Sequence, residues 1–150
     1  MEDKEAQKAL KRYAARVGYT EAEVEQFQEG DPRLRLIHRV GQVAARYSIV
    51  AEVVKACNCN SGYKVGDRFI LDVAGNFLPE LCPKRLCVYL LAQLTVPVAL
   101  INERLSENLD PNLFHFMHQV RCPDAGVECG GYGEVVVEVK AVTPRIKVTT

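Results

Sequence analysis

The residues with the most chemistry to offer are six cysteines in a chain of 150 residues. They fall into close pairs: Cys57 with Cys59, Cys82 with Cys87, and Cys122 with Cys129. Each pair touches a turn or a helix start, where backbone amides are free and side chains can converge. Tetrahedral zinc takes four thiolate or imidazole ligands, usually supplied as two short-spaced pairs. The spacings here match that pattern in part, and His115 and His118, just upstream of Cys122, offer imidazoles to complete a site. The competing reading makes several of these cysteines small buried hydrophobes, since free cysteine is among the most buried residue types. Cys82 has a sharper case. With Pro83 as the first helical residue, Cys82 is an N-cap whose sulfur faces unsatisfied amides and the positive end of the helix dipole, and Lys84 and Arg85 follow at once. Each feature favours thiolate over thiol, so Cys82 is expected to have a lowered pKa as catalytic nucleophile or as metal ligand. Cys87 lies about 140° further around an ideal helix and is expected in the core.

Other constellations are weaker. Gly130, Gly131 and Gly133 have the composition of a phosphate loop, but a strand follows them where a dinucleotide site needs a helix. They read instead as a tight turn or a close backbone approach. Asp124, Glu128 and Glu134 flank this loop and are candidate general bases if a pocket forms there. His38 sits among arginines and reads as surface. There is no Ser-His-Asp order, HExxH, P-loop or EF-hand pattern.

The elements that must position these residues divide the chain in two. Residues 1–47 read as a helical arm. Ala6, Leu10, Tyr13, Ala14 and Val17 recur at helical spacing before Gly18, Thr20 and Glu23 form a capping box, and Asp31-Pro32 opens a third helix with Leu34, Ile37, Val40, Ala44 and Tyr47 on one stripe. Residues 48–150 read as an α+β core domain. Strands are expected over 49–54, 68–72, 113–120 and 134–139, with turn composition at 57–62 and 122–133. Between the second and third strands, a helix from Pro83 and another through Leu105, broken near Pro97, form a helical hairpin or a kinked helix. The sum is a small, mainly antiparallel sheet of about four strands with a central helical segment.

Composition bounds the function classes. Nineteen basic and nineteen acidic residues leave zero net charge, which argues against nucleic acid as the partner, because displacing counterions takes a basic surplus. The opening Met1-Glu-Asp-Lys-Glu lacks the basic-then-apolar order of a secretory signal, and the apolar stretch from Leu86 to Ile101 is shorter than a membrane span. A cytoplasmic protein is expected, with no membrane partner. In a reducing compartment an even cysteine count does not imply disulfides.

In order and spacing, Cys59 with Gly62-Tyr-Lys-Val-Gly-Asp67, then Cys82-Pro83, an apolar helical segment, Cys122-Pro-Asp124 and the valine-rich strand Val135 to Val139 resemble a small prokaryotic family of uncharacterised proteins. The resemblance spans Val50 to Val142. It implies that Cys59, Cys82 and Cys122 are the shared cysteines, with Cys57, Cys87 and Cys129 outside the pattern, and it implies no activity. Three sulfurs from three loops, brought together, would form a three-thiolate site for zinc or an iron–sulfur centre. The leading expectation is therefore a small accessory or binding protein with a Cys59/Cys82/Cys122 metal cluster. Its rivals are a thiol-dependent enzyme using Cys82, and a structural subunit that forms a homo-oligomer through the N-terminal helices.

Overall fold

Strands form where β-branched residues concentrate, and alternation then decides which face each side chain joins. In the computed structural model, which describes residues 2–149, β1 (Ser48–Cys57), β2 (Arg68–Leu71), β3 (Gln119–Arg121) and β4 (Glu134–Val142) build one antiparallel sheet in the order β2-β1-β4-β3. β1 and β4 pair from Ser48 opposite Val142 to Cys57 opposite Glu134, with a bulge between Val53 and Lys55. Ile49, Ala51 and Val53, Phe69 and Leu71, and Val135, Val137, Val139 and Ala141 point into one core. The intervening positions are mixed: Glu52 stands opposite Arg68 and Lys140 reaches Glu138 at 3.3 Å, whereas Val50 and Ile70, opposite each other, are buried. The architecture is the expected α+β fold with a small antiparallel sheet.

The three N-terminal helices are α1 (Glu2–Val17), α2 (Glu21–Val24) and α3 (Pro32–Val43). α1 stops where Gly18 takes φ 84°, and the amides of Gly18 and Tyr19 both donate to the Ala14 carbonyl. Thr20 and Glu23 form the capping box of α2, and the Asp31 carboxylate caps α3 by accepting the Arg33 amide at 2.8 Å. α1 packs on α3, and α3 packs on α5 (Thr95–Ser106). Ala9, Leu10 and Ala14 are buried on α1, and Val43 of α3 joins the sheet core. The apolar stripe of α1 is therefore used within the chain.

α4 (Val88–Leu91), a 3-10 turn (Ala92–Leu94) and α5 run on as one bent helical stretch, the kinked form of the two expected. Two expected elements are replaced. The helix does not begin at Pro83. Pro79–Leu81 is a 3-10 turn, residues 83–87 are irregular, and α4 starts at Val88 with Cys87 as its N-cap. The reason lies far away in sequence: the Tyr63 hydroxyl donates to the Arg85 carbonyl and accepts the Cys87 amide, each at 2.8 Å, consuming groups that a helix through these residues would need. Nor is there a strand over 113–120, where only Gln119–Arg121 pairs. Met117 has φ 64°, and the Phe114 and His118 rings stack at 4.0 Å. Residues four apart along a strand would stand roughly 13 Å apart, so the stack and an extended chain exclude each other.

A cysteine-bordered cleft as candidate functional site

Three loops meet at the end of the sheet where β1 leaves and β4 enters. The first is the turn after β1: Asn58 has φ 53°, and the Gly62 amide closes onto the Cys59 carbonyl at 2.9 Å. It leads directly to Tyr63, which is buried edge-on against Phe69 with ring centres 5.2 Å apart. The second is the segment 83–87, held against that turn by Tyr63 as described and by the Arg85 guanidinium, which donates to the Asn60 carbonyl at 3.4 Å. The third is the loop 122–133. Its organiser is Asp124, whose carboxylate accepts the amides of Tyr132 (2.9 Å), Gly126 (3.0 Å) and Gly133 (3.1 Å).

Between these loops opens a cleft of about 920 Å³. Cys59, Cys87 and Cys122 border it, one from each loop. Leu90, Val135 and Tyr63 supply apolar wall, Asn58, Asn60 and Ser61 supply neutral polar groups, and Tyr89 and Tyr132 stand at the mouth with 69% and 82% of their surface exposed. Glycine is required where the third loop touches the first and where it folds back on itself. A Cβ on Gly133 would stand 2.4 Å from the Asn58 carbonyl oxygen, and one on Gly131 would stand 2.0 Å from Asp124 Oδ1. The expected close backbone approach is what these glycines permit.

The cleft's carboxylates are already engaged. The amides of Tyr132, Gly126 and Gly133 hold the Asp124 pKa below the usual carboxylate range. Glu134 is likewise lowered, chiefly by its hydrogen bond to Lys55 at 3.0 Å, with Arg121 at 3.6 Å. Groups with depressed pKa values are poor proton acceptors at neutral pH, so neither has the character of the general base expected from sequence. Glu128 is exposed and does not line the cleft.

Cys82 stands apart. It lies outside the cleft lining and at the edge of the sheet, where its sulfur accepts the Ile70 amide at 3.3 Å and its S–H donates to the Ile70 carbonyl at 3.5 Å. Burial pushes the Cys82 thiol up, opposite to the expected direction, and the nearby Glu80 carboxylate adds to the rise. With no helix beginning at Pro83, the dipole that was to stabilise a thiolate is absent. The helix start that marked Cys82 as a nucleophile is not found there, although Lys84 and Arg85 do follow it. Cys87, expected in the core, packs partly against it and also borders the cleft. Placing the helix start at Pro83 hid it, and the signal that could have revealed it is the run Val88-Tyr-Leu-Leu immediately after.

The expected metal ligands Cys59, Cys82 and Cys122 are thus divided between the cleft and the sheet edge. Among the described residues no group of three or more His, Cys, Asp or Glu side chains is arranged to hold a metal ion. His118 is stacked on Phe114 and its Nε2 meets the Phe114 carbonyl, so it does not complete a site, and neither it nor His115 lines the cleft. Cys57 and Cys129 are exposed, while Cys59, Cys82, Cys87 and Cys122 pack in part against the core. Among the described residues no helix is long and apolar enough to cross a membrane. No protein-family model, curated protein or solved structure matches the chain.

Proposed function

We propose that this chain is a small accessory or binding protein whose ligand occupies the cleft between the Cys59, Cys87 and Cys122 loops. The observation that carries the reading is that cysteines from three separate segments border one cavity with an apolar wall. Because the Asp124 oxygens are committed to three amides and Glu134 is paired with Lys55 and Arg121, the cavity offers no uncommitted charge to balance a strongly ionic ligand. The occupant that fits is an organic molecule of low net charge, with an apolar body over Leu90 and Val135 and a few polar groups facing Asn58, Asn60 and Ser61. Tyr89 and Tyr132 offer it aromatic faces at the mouth.

Nile red, a neutral dye, tests this. Saturable fluorescence enhancement by the native protein is expected, weakened about tenfold in a Tyr89→Ala, Tyr132→Ala double variant, a loss of about 1.4 kcal/mol. Both side chains are largely exposed, so the fold survives their removal. Unchanged dye affinity in that variant would remove the reading. Metal analysis of anaerobically purified protein addresses the rival zinc or iron–sulfur centre: one equivalent of metal, lost on Cys59→Ser or Cys122→Ser, would replace the organic ligand with a metal.

A further inference from the structure

Cys59 and Cys87 belong to segments that the fold binds together directly. Tyr63 sits four residues after Cys59, and its hydroxyl accepts the backbone amide of Cys87 itself at 2.8 Å. The same hydroxyl donates to the Arg85 carbonyl, and the Arg85 side chain returns to the carbonyl of Asn60, the neighbour of Cys59. Three hydrogen bonds thus lay residues 85–87 along the turn 59–63, and both sulfur-bearing residues border the same cleft. Cys122 borders that cleft from elsewhere: its amide donates to the Val135 carbonyl at 2.9 Å, which ties it to β4. Neither member of the Cys59/Cys87 pair has the sulfur-to-backbone hydrogen bonds that occupy Cys82.

We infer that Cys59 and Cys87 are a modification site, a thiol pair that a hydroperoxide converts to an intramolecular disulfide across one wall of the cleft. In the first step one thiolate attacks a peroxide oxygen and the O–O bond breaks. The sulfur becomes a sulfenic acid, and the departing oxygen leaves as water after taking a proton. In the second step the other thiol attacks that sulfenic sulfur, forming the S–S bond and releasing a second water. Two thiols lose two electrons and two protons in all, and hydrogen peroxide is reduced to two waters. A small thiol such as dithiothreitol reverses the bond by exchange. The inference goes beyond the ligand reading, because the bond forms or fails whether or not Nile red binds.

The test uses the full chain carrying Cys57→Ser and Cys129→Ser, which removes the two exposed thiols and leaves one cysteine in each relevant tryptic peptide. The protein is treated with hydrogen peroxide, remaining thiols are blocked with N-ethylmaleimide, and the unreduced digest is mapped by mass spectrometry. The expected product joins residues 56–64 to residues 86–104 and disappears on reduction. Cys87→Ser should abolish it and leave Cys59 as a sulfenic acid that dimedone traps. A bond from either peptide to residues 122–140, covalent dimers alone, or free thiols at both positions after peroxide would each overturn the proposal.

Discussion

At the edge of the sheet a single sulfur substitutes for a neighbouring strand. β2 is the last strand on its side, with one isolated bridge from Leu71 to Phe77 beyond it, and the polar groups of Ile70 that face outward are met by Cys82 and by the Leu78 amide at 2.8 Å. Removing that sulfur with Cys82→Ala leaves the part-buried Ile70 amide without a partner and is expected to cost about 1–3 kcal/mol in chemical denaturation. The cost should depend on pH. A thiol whose folded pKa is raised contributes stability that is fully present below its unfolded value of about 8.5, and loses it as pH rises through the folded value. The stability difference between the native protein and Cys82→Ala should therefore shrink between pH 7 and pH 10, and a constant difference would contradict the assignment. Tyr63, also raised chiefly by burial, acts in the same direction at higher pH and is present in both proteins. Reactivity follows the same logic. Iodoacetamide at pH 7.5 should label exposed Cys57 and Cys129 first and Cys82 last, with equal rates across the cysteines as the refuting result.

At the scale of elements, the loop 122–133 is organised by one carboxylate and by glycines that admit a neighbour. Asp124 gathers three amides that no strand or helix satisfies, which lets an irregular loop carry buried polar backbone. Its depressed pKa keeps that arrangement intact at neutral pH and releases it only as pH falls below the ordinary carboxylate range. Gly133 is the contact point with the turn after β1. Gly133→Ala forces a methyl group against the Asn58 carbonyl, and a loss of about 1–3 kcal/mol is expected in thermal or denaturant unfolding. Gly130→Ala meets no neighbour within 4 Å and tests the backbone alone, since its φ is 80°. The capping box, the Asp31 cap and the Gly18 stop were all legible in sequence because each is settled within four residues. The false helix at Pro83 and the false strand at 113–120 failed for the converse reason. A tyrosine some twenty residues upstream claims the backbone of 85–87, and a ring stack with a positive φ at Met117 diverts 114–118.

At the scale of the whole molecule, the N-terminal helices are continuous with the body through α3, which lies on α5 and adds Val43 to the core. Leu10, 1% exposed, anchors α1 in that arrangement. Leu10→Ala should cost about 2–5 kcal/mol and lower the midpoint of a single unfolding transition. A midpoint left unchanged would mean that α1 is an appendage and not part of the folded unit. The cleft sits at the end of the sheet opposite the β1 start and the β4 finish, where three loops converge. The sheet pairs β1 with β4 across some eighty residues of chain, and this pairing brings Cys59 and Cys122 to one cavity.

The amino-acid sequence by itself determined the class of fold, the β1, β2 and β4 strands, the helix caps and the close approach at the paired glycines, because alternation, capping and backbone freedom are local properties. It also singled out cysteine as the residue type with chemistry to offer. Which cysteines share a cavity was decided only by tertiary structure. Cys82 and Cys87 lie five residues apart in the chain, yet the outer edge of β2 claims one sulfur and Tyr63 holds the other residue at the cleft. Hydrogen bonds to distant partners outweighed the local helix signal at Pro83, and no spacing rule read along the chain carries that information.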